Sequence, residues 1–258
     1  MSMEQWVALE RSEAGVATVT LKATGRMPVI SLQSGAALAD CFESLAQDAQ
    51  VRVVVLKGEG GHFCGGGDIA ALRDSLSDPD RHLDAIIEAF HRCIRAMHAM
   101  PQPVIASVAG AAAGGGMSLA MACDLIVCAA NARFVVGYPA LGTSSDGGLS
   151  HTLTRRLGAM QAMDIILSRG ALDAQAAQAL GLVAKISEPE QLEAETAAYA
   201  ERMAATPKQV LREFKGLITK AADDGLHAQL DAEKAAFLRC AKTPDFRERV
   251  DAFLSKKK

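Results

Sequence analysis

Two glycine-rich segments constrain this chain more than any other feature. The β-branched run Val51 to Lys57 leads into G-E-G-G-H-F-C-G-G-G-D-I (Gly58 to Ile69), and Pro103 to Val108 leads into A-G-A-A-A-G-G-G-M-S-L-A (Ala109 to Ala120). Each reads as a strand, a glycine-rich turn and the start of a helix. A helix start leaves backbone N–H groups without intrahelical partners and carries the positive end of the dipole, while glycine lets a ligand approach the backbone. Neither turn holds the Gly-Lys-Ser/Thr of a P-loop, and neither completes the G-x-G-x-x-G dinucleotide fingerprint. Taken singly, each is equally well read as a tight turn with close packing. Two such turns at the ends of adjacent parallel strands would aim one N–H each at a shared oxygen, as an oxyanion hole does.

The flanking pattern supports parallel strands. Val16 to Leu21, Leu125 to Cys128 and Arg133 to Val136 also read as strands, and Gly35 to Ala49 and Leu83 to Met100 as helices, the latter stopped before Pro101 and Pro103. Strands alternating with helices indicate an α/β class. Helical patterns then take over at Gln191 to Met203, Pro207 to Ala222, Leu226 to Cys240 and Asp245 to Leu254. The expected plan is an α/β core over residues 1–195 and a closely packed helical section over 196–258. A chain of 258 residues suits one large domain, or one with an appendage, at roughly 150 residues per domain.

Charge and cysteine usage exclude several classes. The net charge of −3 argues against a general nucleic-acid binder. The balance is uneven, because residues 201–258 carry 13 Lys and Arg against 9 Asp and Glu. A basic tail suits an anionic ligand or an acidic neighbour, although solvated Lys and Arg on helix faces are the more common reading. The six cysteines are scattered with no C-x-x-C pair, which indicates neither a disulfide framework nor a zinc cluster. No apolar run approaches the ~20 residues of a membrane span, and the first residues carry no signal-like segment. A cytoplasmic protein is expected.

H-F-C-G-G-G-D-I, followed by P-V-I-A-S-V-A-G-A-A-A-G-G-G-M-S-L-A-M-A-C-D-L, resembles the enoyl-CoA hydratase/isomerase family, the crotonase superfamily. The likeness extends through A-L-G-L-V (Ala179 to Val183) to T-P-D-F-R-E-R-V-D-A-F-L (Thr243 to Leu254). It implies a spiral of ββα repeats with a C-terminal helical trimerisation region, assembled as a trimer or dimer of trimers. It implies an acyl-CoA thioester as substrate, with no separate cofactor and no metal. Gly67 and Gly115 would polarise the thioester carbonyl with their N–H groups. Asp68 and Ile69 follow where the family contacts the adenine and pantetheine portions, and Phe253 and Lys256 match positions that reach a neighbouring subunit's CoA.

The family's hydratases use two glutamates, and here those positions hold Ser118 and Tyr138. Serine is a poor base alone, and an ordinary tyrosine is protonated at neutral pH. The carboxylate that remains is Asp146, in G-T-S-S-D-G-G before a helix starting near Leu149. By itself it reads as a helix cap. Within the resemblance it falls where several isomerases carry their working aspartate, with Ser145 in place of a proline. One carboxylate suffices to shift a double bond, and a dry, apolar acyl pocket is expected to raise its pKa so that it acts first as base and then as acid. Tyr138 would line the pocket or orient the substrate. The expected function is therefore enoyl-CoA isomerisation.

The alternatives are a hydratase using Asp146 and water, a non-catalytic acyl-CoA-binding protein, and a dehalogenase-like hydrolase. In the last, His91 and Asp146 match the histidine and nucleophilic aspartate of the family's 4-chlorobenzoyl-CoA dehalogenase. That enzyme's aromatic residues are largely missing, with Gly67 and Leu83 at two of the positions. Cys64, inside the first loop, reads as a packed thiol rather than a nucleophile.

Overall fold

A computed structural model describes residues 3–221 and 223–255. Strands β1 (Val7–Arg11) and β2 (Val16–Leu21) form an antiparallel hairpin. Helix α1 (Leu32–Gln47) follows, its N-terminus closed by a reciprocal Ser31–Ser34 capping box. Next come β3 (Val53–Gly58), α2 (Ile69–Ser75), α3 (Pro79–Ala99), β4 (Val104–Val108), β5 (Ala111–Ala113) and α4 (Gly115–Ala122). Then follow β6 (Leu125–Ala129), β7 (Arg133–Val135), α5 (Leu149–Leu157), α6 (Ala159–Asp164), β8 (Ala171–Asp173), α7 (Ala174–Ala179) and β9 (Lys185–Ser187). Four helices close the described chain: α8 (Leu192–Ala204), α9 (Lys208–Lys220), α10 (Leu226–Ala241) and α11 (Pro244–Ser255).

The main sheet runs β1-β2-β3-β4-β6-β9, and every pairing beyond the first hairpin is parallel. A smaller sheet, β5-β7-β8, stands beside it. The central strands β3, β4 and β6 are mostly apolar because both faces are covered. Val54 and Leu56 of β3 join one buried cluster with Leu38, Phe42 and Leu45 of α1 and Cys93 and Met97 of α3. Val53 and Val55 point the other way, into a second cluster with Ile105, Val127 and the α8 residues Leu192, Ala200 and Ala204. The α/β core and the helical C-terminal section expected from the sequence are both present.

Sheet geometry brings the two glycine turns together. Cys64 pairs with Ala112 as an isolated parallel bridge, through Cys64 N–H to Ala111 O (3.1 Å) and Ala113 N–H to Cys64 O (2.9 Å). A Cβ placed on Gly116 would lie 2.2 Å from the Cys64 carbonyl oxygen, so only glycine permits this approach.

The C-terminal helices are latched by a buried cation. Lys215 of α9, with a side chain only 7% exposed, pairs with Asp124 at 2.9 Å. It also donates to the carbonyls of Met97 and Gln102, each at 2.9 Å, so its remaining protons are satisfied. The same helical layer leaves Phe214, Ile218, Leu226, Leu230, Phe237 and Leu238 exposed. Among the described residues, no helix is long and apolar enough to cross a membrane.

Candidate active site

The first turn frees one N–H through strand-like pairing. Ile30 N–H donates to Gly66 O at 2.7 Å and Asp68 N–H donates to Ile30 O at 2.9 Å, which together make the Ile30–Gly67 bridge. In that register the flanking residues carry both bonds, and Gly67 N–H donates to nothing among the described residues. The second turn frees its N–H through helix geometry. Gly115 is the first residue of α4, whose bonding begins when Ser118 N–H reaches Gly114 O at 3.1 Å, so Gly115 N–H is one of the orphan donors of a helix start. A Cβ on Gly66 would lie 3.3 Å from Gly115 N. The two turns are therefore in contact at the residues that flank and carry the free donors.

Asp68 and Ile69 lie at the mouth of this loop. The Asp68 carboxylate caps α2, accepting from Ala70 N–H (3.0 Å) and Ala71 N–H (3.1 Å). Ile69 is exposed. Cys64 is buried, and loss of solvent pushes its thiol up to about 12. Its sulfur accepts the Gly66 N–H at 3.4 Å, a structural use that leaves no thiolate for nucleophilic chemistry.

Ser118 and Tyr138 are bonded to each other at 2.8 Å. Tyr138 Oη donates to the Asp146 carbonyl at 3.2 Å, and the Ser118 hydroxyl lies 3.4 Å from the Gly114 carbonyl. Burial pushes the Tyr138 phenol up to about 12, which keeps it neutral and a donor. The two positions that carry glutamates in hydratases therefore brace the main chain at Asp146.

Asp146 does not cap α5. Gly148 occupies the cap position, and the Asp146 Oδ1 instead receives Gly147 N–H at 2.6 Å and lies 2.5 Å from His91 Nε2. A carboxylate only accepts, so His91 Nε2 carries the proton in this contact. The Asp146 side chain is 29% exposed and that of His91 38%, so the carboxylate sits at a rim with a partner rather than in a dry apolar recess. Phe90 connects this turn to the glycines. A Cβ on Gly147 would lie 2.3 Å from Phe90 Cε1 and 2.9 Å from Ser118 Cβ, and one on Gly115 would lie 3.7 Å from the same Phe90 atom. The edge of one buried ring thus touches both the Asp146 turn and the start of α4.

Of the residues singled out from the sequence, the structure gathers Gly115, Ser118, Tyr138, His91 and Asp146 around Phe90, and Gly67 follows Gly66, which meets the start of α4. Asp68 and Ile69 flank them, Phe253 stands exposed on α11, and Lys256 lies outside the described residues. The Gly147 amide and the bracing pair were missed. Their signal was available, because positions that hold two cooperating glutamates in hydratases must converge in space. Among the described residues, no group of three or more His, Cys, Asp or Glu side chains is placed to hold a metal ion.

The model of the enoyl-CoA hydratase/isomerase family matches residues 11–258. The chain is 32% identical to the 1,2-epoxyphenylacetyl-CoA isomerase of Escherichia coli (strain K12), covering 96% of this chain and 95% of that protein. It is 26% identical to 4-chlorobenzoyl coenzyme A dehalogenase-2 of Arthrobacter sp, covering 97% and 91%. Among solved structures, an enoyl-CoA hydratase from Polaromonas sp. JS666 superposes with a TM-score of 0.92 at 33% identity, covering 97% of each chain.

Proposed function

The chain belongs to the enoyl-CoA hydratase/isomerase family, and from that premise we propose that it moves the double bond of an enoyl-CoA, with Asp146 as the single acid and base. The observation that carries this is the exchange of roles around Phe90. The two glutamate positions hold Ser118 and Tyr138, bonded to each other, and the carboxylate of the cluster is Asp146. A water-adding enzyme with two carboxylates needs both; a proton shuttle needs one.

In the proposed reaction the thioester carbonyl lies against the free N–H groups of Gly67 and Gly115. Asp146 removes a proton from the carbon that the conjugated carbonyl acidifies, and the electron pair passes to the thioester oxygen. The two donors stabilise that oxyanion, an effect on the order of 3 kcal/mol per donor. The Asp146 carboxylic acid then protonates the carbon two positions away, and the oxyanion electrons return to re-form the carbonyl. The step consumes no water and needs no cofactor. An E. coli relative named as an isomerase of 1,2-epoxyphenylacetyl-CoA supports isomerisation and a ring-derived acyl group among the substrates. Self-association would cover the exposed apolar residues of α9 and α10.

The His91–Asp146 contact favours a second reading, in which Asp146 attacks an aryl carbon and His91 activates water. Incubation with 3-enoyl-CoA and 2-enoyl-CoA separates the two. Isomer without 3-hydroxyacyl product supports the proposal. Hydrated product overturns it. Transfer of 18O from labelled water into the Asp146 carboxylate, read by mass spectrometry after a single turnover of a halogenated aryl-CoA, establishes the hydrolytic reading instead.

A further inference from the structure

The two oxygens of Asp146 have different surroundings. Oδ1 is bonded by His91 Nε2 at 2.5 Å and by Gly147 N–H at 2.6 Å, whereas Oδ2 has no hydrogen-bond partner among the described residues. The main chain beneath is fixed separately, since Tyr138 holds the Asp146 carbonyl and Gly147 is wedged against Phe90 and Ser118. The side-chain torsions of Asp146 are restrained by two donors on Oδ1, the adjacent Gly147 N–H and His91 reaching across from α3.

We propose that His91 is a positioning residue that commits Asp146 to act through Oδ2 alone, so that one oxygen both removes and returns the proton. The inference rests on the isomerase reading above. Oδ2 takes the proton from carbon, the C–H electron pair enters the dienolate, and the charge resides on the thioester oxygen. The proton on Oδ2 then forms the new C–H bond at the carbon two positions along, as the oxyanion electrons re-form the carbonyl. His91 keeps its Nε2 proton throughout and undergoes no net change. A single fixed oxygen faces one side of the acyl plane, so the same proton is returned to that side. With His91 removed, only the adjacent Gly147 N–H remains on Oδ1, one bond no longer fixes the carboxylate, either oxygen serves, and solvent protons enter.

The test compares wild-type protein with His91→Leu and His91→Gln, using a substrate deuterated at the proton-donating carbon in ordinary water. The readouts are kcat, KM and the fraction of label retained in the product. His91→Leu should lower kcat about tenfold or more, the scale of a small misplacement of a catalytic group, with a smaller change in KM and a clear loss of retained label. His91→Gln offers an amide N–H to the same oxygen and should recover most of both. His91 is partly exposed, so both variants should fold, and a melting curve checks this. Wild-type label retention in His91→Leu overturns the inference, as does an equal fall in kcat in both variants with retention unchanged. Isomerisation that survives Asp146→Asn instead overturns the isomerase reading itself.

Discussion

The turn after β3 and the turn after β5 look alike in the sequence, yet they free a backbone N–H by different means. In the first, strand-like pairing with Ile30 consumes the N–H of Asp68 and the carbonyl of Gly66 and skips Gly67. In the second, the start of α4 leaves Gly115 N–H unpaired because no residue precedes it in the helix. The first donor is fixed by register, and the second by helix geometry and by the braces around Phe90. A glycine-rich sequence is therefore a permission for close approach, and the neighbouring elements decide which N–H stays free.

The largest expected effect comes from forcing the turns apart. In Gly116→Ala the new Cβ meets the Cys64 carbonyl at 2.2 Å, a backbone contact that cannot rotate away. The variant should lose about 3 kcal/mol or more, read as a lower midpoint in urea unfolding. Unchanged stability would mean that the turns do not touch as described.

Tyr138→Phe tests the braces that tie the Asp146 segment to Ser118 of α4. It deprives the buried Ser118 hydroxyl of its 2.8 Å partner and the Asp146 carbonyl of its donor, a loss of about 1–2 kcal/mol. Isomerase kcat should fall while thioester binding is largely kept. Full activity would show that the turn holds Asp146 unaided.

Gly67→Ala probes the first turn more gently. Its Cβ would meet the tip of Leu72 at 3.0 Å, a flexible side-chain end, and the N–H is retained. Stability should change by less than about 1 kcal/mol, in contrast to Gly116→Ala. A loss as large as that of Gly116→Ala would erase the distinction between close backbone contact and a free surface in the loop.

The smallest effect concerns Cys64. Its thiol is pushed up to about 12 by burial, so it stays protonated and unreactive at mildly alkaline pH. Alkylation of the folded protein at pH 8, mapped by peptide mass, should label the less buried Cys240 and leave Cys64 intact. Early labelling of Cys64 would show that the first turn opens.

What the sequence conveyed follows from the range of the interactions involved. Strand β2 matches the run Val16 to Leu21, and α9 and α10 fall on their periodic segments, because period and proline placement are local signals. The three-residue strands β5 and β8 carry no such pattern and exist only through pairing with β7. The edge strand β1 was likewise not foreseen, whereas α2 starts at Ile69, where the first glycine turn reads as leading into a helix. At the site, the glycine turns and Asp146 were legible from motif and resemblance. His91 was named beside Asp146 by the same resemblance, but no local pattern encodes their direct contact across 55 residues, and the Gly147 amide was not foreseen. Asp68 places its carboxylate on the first turn of α2, and Gly148 takes the cap position that the sequence also offered to Asp146.

The central claim is that one carboxylate, Asp146, performs the chemistry beside the Gly67 and Gly115 donors. Its most direct test is the turnover of a 3-enoyl-CoA by Asp146→Asn, a change that keeps the shape and an oxygen for His91 while removing the base. The account predicts a fall in kcat of about a thousandfold or more, within the range of general acid–base catalysis, with thioester affinity retained. Turnover within tenfold of wild type would contradict it.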